Sequence, residues 1–287
     1  MTGWLITNGF LKGEKFDGIY NLLVEACEKR GVELLRFTNS DILVKIGFNK
    51  AVEADFVLFW DKDVKLAAYL EKCGYKVFNS ARAIAICDDK ALTSLALLNK
   101  GIAMPKTIFA PMTFSNVGYT DYNFLKSVAE ELGFPLVVKE CFGSFGREVY
   151  LAKDDIELLK IVENIGVKPM LFQELIVSSY GRDIRVEVVG GKVVASVMRV
   201  ASEGEFIANV THGGKMFPYV LSEAEIELAI NASKALQLDF AGIDILFGEN
   251  NKPLLCEVNT NAHFKNLLLA TGINVADAIV EYVLGAI

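Results

Sequence analysis

An α/β layer followed by an α+β body is the fold class this sequence predicts, and three observations predict it. From residue 1 to about 87, strand-like runs alternate with helix-like runs, which implies parallel pairing with helices packed across the sheet. From 88 to 170, helical stretches flank the strand "PLVVKE" and the glycine-bearing run "CFGSFGREVYLA". From 171 to 287, apolar runs follow one another through short polar turns, which implies antiparallel strands with helices beside them. The expected domains are therefore 1–87, 88–170 and 171–287.

The first strand, "WLITN", is followed by "FDGIYNLLVEACEKRG", where Ile19, Leu22, Leu23, Ala26 and Cys27 recur at helical spacing up to a stop at Gly31. "VELLRF", "ADFVLFW", a helix across "VKLAAYLEKCG" and "YKVFN" complete the first region. Gly9, Gly13 and Gly18 are wrongly spaced for the GxGxxG of a dinucleotide fold. In the second region Asp88 or Asp89 can cap a helix that ends before Gly101, and helices over "NFLKSVAEELG" and about 154–165 enclose the strands. The third region runs from "MLFQELI" through "DIRVEVVGGKVVASVMRV", a long helix near 222–236, a hairpin and the final helix "NVADAIVEYVL".

A hydrophobic content of 52% with 23% charged residues describes a well-packed globular chain of 287 residues. No apolar run reaches the roughly 18 residues a membrane span needs. "MTGWLITNGF" lacks the basic start and apolar core of a signal peptide, so the cytoplasm is the expected location. A net charge of −7 argues against non-specific binding of nucleic acid, and neither nucleic acid nor membrane is an expected partner. Five scattered cysteines without a CxxC pair, and only two histidines, His212 and His263, point to reduced thiols rather than a zinc site.

The hairpin "DILFGENNKPLLCEVNTNAHF" carries the first chemical signal. Counted outward from Asn250 and Asn251, Asp244 and Glu257 fall directly opposite each other, and opposed carboxylates repel by up to about 1 kcal/mol. Something cationic is expected to offset that repulsion. Strand alternation places Glu257 and Asn259 on one face and Cys256 and Val258 on the other. Asp244, Glu257 and Asn259 then make a patch of oxygen ligands suited to magnesium with a phosphate; a solvated acidic face is the plainer reading.

Lys139 ends an apolar strand just before "FGSFGR", whose glycines let backbone N–H groups turn toward a phosphate. Lys90 sits near a helix start, where a cation opposes the helix dipole. In "GRDIRVEV", Asp183 and Arg185 share one face and Arg182 and Ile184 the other. Arg199 lies within an apolar strand, where it must either pair internally or receive an anion, and a salt bridge of Arg185 or Arg199 to a neighbouring glutamate such as Glu187 is the plainer reading.

Read in order, Lys90 in "DDK", Lys139 in "VVKE", "GSFGR", "QELI", "GRDIR", Arg199, "ANVTHGG", "GIDIL" and "EVN" closely resemble the ATP-grasp ligases of the RimK and LysX group, from about Asn79 to the C-terminus. The resemblance implies an ATP-grasp fold preceded by an N-terminal α/β (pre-ATP-grasp) domain. It implies ATP clamped between two lobes, with Lys90 and Lys139 on phosphates and the loop of Gly143, Ser144 and Gly146 over them. The backbone of Gln173, Glu174, Leu175 and Ile176 would lie at adenine, with Glu174 and Asp183 anchoring the nucleoside. Asp244, Glu257 and Asn259 match magnesium positions, for two ions, with manganese as an alternative. Arg199, Asn209 and Arg185 match the catalytic set near the transferred phosphate and the incoming amino acid.

The activity so implied is carboxylate–amine ligation: ATP phosphorylates an acceptor carboxylate, and an amino acid, glutamate-like or from a lysine pathway, attacks to give an amide, ADP and phosphate. The loop "GSFGR" and the tail "EVNTNAHFKN" look more like LysX, which modifies a carrier protein, than RimK. The acceptor is a small molecule, a peptide or a carrier protein, and a homo-oligomer is left open. A nucleotide-binding regulatory protein that keeps the clamp without ligation is the alternative.

Overall fold

The computed structural model describes residues 1–48, 52–143, 146–208 and 213–287. Its N-terminal layer consists of β1 (Thr2–Thr7), α1 (Glu14–Glu28), β2 (Glu33–Thr38), β3 (Phe56–Trp60), α2 (Val64–Lys72) and β4 (Val77–Phe78). The strands are all parallel, in the order β2-β1-β3-β4, as the alternation of strand and helix requires. β3 is buried along its whole length, which is why "FVLFW" reads as a continuous apolar run.

Two short helices, α3 (Ala81–Asp88) and α4 (Lys90–Leu97), lead out of this layer. Asp89 stops the first and caps the second, accepting from the backbone N–H groups of Ala91 (2.8 Å) and Leu92 (3.1 Å). The central lobe follows: β5 (Thr107–Phe109), α5 (Phe124–Leu132), β6 (Leu136–Glu140), β7 (Val149–Ala152), α6 (Asp155–Ile165) and β8 (Met170–Glu174). Its sheet is antiparallel, in the order β5-β8-β6-β7. The boundary expected after residue 170 thus falls inside β8, whose ladder partners β5 and β6 both belong to the central sheet. "MLFQELI" was assigned to the third region because an apolar run does not reveal which sheet it joins.

The third sheet, in the order β11-β10-β9-β12-β13, is antiparallel throughout. It is built from β9 (Arg182–Val189), β10 (Lys192–Val200), β11 (Lys215–Pro218), β12 (Phe240–Phe247) and β13 (Pro253–Asn259), with α7 (Glu223–Ala235) between β11 and β12. Ser222 and Glu225 form a reciprocal capping box at the start of α7. α8 (Lys265–Thr271) and α9 (Val275–Ala286) close the chain.

Packing joins the lobes unequally. Ile184, Val186 and Ile243 on one face of the third sheet pack with α7 and with Ala83, Cys87 and Leu97 of α3 and α4. On the other face Val189, Val197 and Phe240 share a core with the N-terminal layer, through α1, α8 and α9. The central lobe has a separate core of its own strands and of α5 and α6. Among the described residues no single helix is long and apolar enough to cross a membrane.

Candidate functional site

A cleft of about 450 Å3 lies where the three sheets meet. The central lobe contributes Lys139 and the segment Gln173–Ile176, and the third sheet contributes Asp183, Arg185, Arg199, Asp244, Glu257 and Asn259. Asn8 and Asp61 come from the N-terminal layer, just beyond the carboxyl ends of β1 and β3, where parallel sheets present ligands.

Strand register explains why the charged residues meet. Arg199 is opposite Asp183 across β10 and β9. Arg185 is opposite Asp244 across β9 and β12, and Asp244 is opposite Glu257 across β12 and β13. The next row on the same face runs Glu187, Gly242, Asn259. The hairpin therefore has the expected opposition of Asp244 and Glu257, but the ladder shifts by one residue between Asp244 and Ile245. That bulge turns Cys256 into the cleft beside Glu257, its Sγ 3.8 Å from Lys139 Nζ, rather than to the far face with Val258.

The cation that compensates Asp244 in this structure is the protein's own. Arg185 donates through Nε to Asp244 Oδ1 and through Nη2 to Oδ2 (2.9 Å), and Arg199 Nη2 lies 3.0 Å from Oδ2. Arg199 also grips Asp183 with two bonds of 2.6 and 2.7 Å. Burial pushes the Asp244 carboxyl up, but Arg185 and then Arg199 outweigh it and hold it below the usual range. Glu187 is different. Burial pushes it up to about 7 against the pull of Arg185, its Oε1 accepts no hydrogen bond, and Arg185 Nη1 is 4.0 Å away.

Lys90 and Lys139 approach the same space from two sides. Lys90 Nζ is 3.5 Å from Glu257 Oε1 and 3.4 Å from the Gly143 carbonyl oxygen. Lys139 Nζ donates to Gln173 Oε1 at 2.7 Å. Glu174 lines the cleft, although its Oε1 accepts from the backbone N–H of Lys106 at 2.7 Å. Leu175, Ile176 and Gly146 line the cleft as well. Gly143 has φ of 149°, a conformation that favours glycine. Ser144, Asn209 and His212 lie outside the described residues.

At the N-terminal end, Asp61 accepts from Asn8 Nδ2 (3.1 Å) and from the backbone N–H of Lys62 (2.8 Å), and burial pushes its carboxyl up. His263 packs edge-on against Phe16, and burial followed by Lys15 pushes its pKa down to about 4, so it is neutral near pH 7. The sequence analysis does not single out Asn8, Lys15 or Asp61, and it places Cys256 on the opposite face. Position after a parallel strand was the available signal for Asn8 and Asp61.

The donor set fits a hard divalent cation. Asp244, Glu257 and Asn259 offer oxygen ligands on one face, and Asn259 Nδ2 is buried without a hydrogen bond, so the side-chain amide is not held by the ladder. Among the described residues no cluster of three or more His, Cys, Asp and Glu offers a rival metal centre.

Residues 87–283 match the RimK-like ATP-grasp domain. The chain is 36% identical over 223 residues to N-acetylaspartylglutamate synthase A of Homo sapiens, covering 77% of this chain and 56% of that protein. It is 36% identical over 219 residues to the probable alpha-L-glutamate ligase of Legionella pneumophila, covering 75% of this chain and 69% of that one. In three dimensions it is similar to a RimK-domain ATP-grasp protein from Sphaerobacter thermophilus, with a TM-score of 0.75, 19% identity and coverage of 98% of this chain and 99% of that one. The chain thus spans a little over half the length of the human relative.

Proposed function

This chain belongs to the RimK-like ATP-grasp family, and on that premise we propose that it is an ATP-dependent carboxylate–amine ligase. The observation that carries the reading is the meeting of Lys139 from the central sheet, Lys90 from α4 and Glu257 from the third sheet in one cleft. Cations contributed from two sides, with a carboxylate between them, suit a polyphosphate held with a divalent cation.

In this reading Lys90 and Lys139 hold phosphates beneath the loop of Gly143, Ser144 and Gly146. Gln173, Glu174, Leu175, Ile176 and Asp183 form the nucleoside end. Asp244, Glu257 and Asn259 hold magnesium, as one or two ions, which when bound neutralises charge on the transferring phosphate. Arg199 and Arg185, with Asn209, orient the acceptor carboxylate and the phosphoryl group. The acceptor carboxylate attacks the γ-phosphorus and ADP leaves; the amine then attacks the acyl phosphate, the amide bond forms, and phosphate leaves. The protein contributes position and charge, and no side-chain nucleophile is needed.

Both curated relatives carry glutamate in their names, so glutamate is the first amine donor to test. The acceptor would enter from the side of Asn8 and Asp61, and it is a small carboxylate, a peptide or a carrier protein. The test is phosphate release from ATP and magnesium with each amino acid and a panel of carboxylate acceptors. Release that needs both an amine and an acceptor supports ligation; release that needs neither contradicts it.

A further inference from the structure

We propose that Glu187 is a positioning residue that takes Arg185 over from Asp244 when a divalent cation and nucleotide engage Asp244. The inference rests on the ATP-dependent reading of the cleft and adds a residue to it.

Both oxygens of Asp244 are occupied by guanidinium N–H groups, from Arg185 on each oxygen and from Arg199 on Oδ2. A hard cation requires carboxylate lone pairs, and two guanidiniums beside the same carboxylate repel it. The arginines must therefore loosen. Arg199 can do so without losing its counter-charge, because Asp183 holds it with two further bonds. Arg185 has no such second grip. Among the described residues, the one other carboxylate within 4.0 Å of Arg185 is Glu187.

Three features make Glu187 ready for that exchange. It is 3% exposed, and its Oε1 accepts no hydrogen bond, so an acceptor stands unused in the interior where such groups are normally satisfied. It stands on the row of Gly242, directly across from it, while Asp244 is two residues farther along the same strand. A Cβ at Gly242 would lie 3.2 Å from both Cδ and Nη1 of Arg185, so the arginine already lies over the glycine, between the two carboxylates.

The test uses the whole chain and Mn2+ as the probe. Wild type and Glu187→Gln are compared for ADP affinity in a chelator by calorimetry, and for Mn2+ affinity in the presence of ADP by the electron paramagnetic resonance of the metal. Metal-free ADP affinity is expected to be equal. Mn2+ binding is expected to weaken about tenfold, the scale of losing a residue that orients a metal ligand. Glu187→Asp should recover part of the loss. Should Glu187→Gln not fold, Glu187→Met carries the same comparison. Equal Mn2+ affinity in wild type and variant, or an equal loss of metal-free ADP binding, would overturn the proposal. A wild type that binds neither ADP nor Mn2+ with ADP would instead overturn the ATP reading on which it rests.

Discussion

The N-terminal layer and the third sheet share one buried aromatic core, whereas the central lobe keeps a core of its own. Trp60 of β3 stacks on Phe240 of β12, with ring centroids 5.3 Å apart, and meets Phe264 edge-on at 5.8 Å. Asn79, fully buried between the two, donates to the carbonyl oxygens of Phe240 (2.9 Å) and Thr260 (3.1 Å) and accepts from the Asp239 N–H (2.7 Å). The central lobe meets the third sheet at contacts such as Lys139 Nζ against Cys256 Sγ (3.8 Å), and meets α4 through the Lys90 N–H on the Cys141 carbonyl oxygen (3.0 Å). The core of the central lobe is separate from the two cores that hold the third sheet, so the central lobe is the part expected to move against the rest. The fused pair is a platform that carries the arginine–carboxylate ladder, with Asn8 and Asp61 at its N-terminal end. The central lobe brings Lys139 and the segment Gln173–Ile176 to the same cleft, where the proposed reading has them act as a jaw on the nucleotide.

The largest effect is expected inside the platform. Asp244→Asn removes the shared partner of Arg185 and Arg199, so the protein without ligands should lose about 3–5 kcal/mol and ligase turnover should fall by orders of magnitude. If Asp244 only repelled Glu257 across the hairpin, neutralising it would instead relieve that repulsion and leave the free protein unharmed. A higher melting temperature in the variant would favour that case and remove the ladder from the account.

Two core substitutions sharpen the contrast between platform and jaw. Trp60→Ala and Phe172→Ala should each cost about 3–5 kcal/mol, but in different places. Trp60 is in the shared core and Phe172, fully buried, in the central one. Calorimetry should show Phe172→Ala lowering the transition of the central lobe alone, and Trp60→Ala lowering that of the platform. A single transition that both variants shift equally would mean the two regions unfold as one.

The opposition of Asp244 and Glu257 was legible because a hairpin's register can be counted from its own turn. The bulge at Cys256 was not, since alternation along a strand carries no mark of an inserted residue. The ladder was only half legible. That Arg199 needed an internal partner or an anion followed from its apolar strand, but that Asp183 and Asp244 supply it depends on the pairing of β9 with β10 and β12, and sequence spacing does not encode the β9–β12 register. For the same reason the strand character of β8 is plain in the sequence, while its pairing with β5 and β6 is not. Gly242 gave no signal until Arg185 was seen lying against it.

The smallest effect concerns pH. Glu187 holds its proton more tightly when folded, at about 7 against an ordinary 4.5, so the unfolded chain gives up its proton first as pH rises. The platform should therefore lose stability between pH 4.5 and 7, on the order of 1–3 kcal/mol, and level off above. Glu187→Gln lacks that loss, so its stability relative to wild type should climb across this window. A constant difference from pH 4.5 to 8 would show that Glu187 does not titrate there.

The most direct measurement of the central claim follows an oxygen atom. An acceptor identified by the phosphate-release screen is prepared with a heavy-oxygen label in its carboxylate and turned over with ATP, magnesium and the amine donor. If the carboxylate attacks the γ-phosphorus and the amine then displaces phosphate, one labelled oxygen must appear in each phosphate released. Phosphate carrying oxygen from solvent alone would contradict the acyl phosphate and, with it, the reading of this cleft as a ligase site.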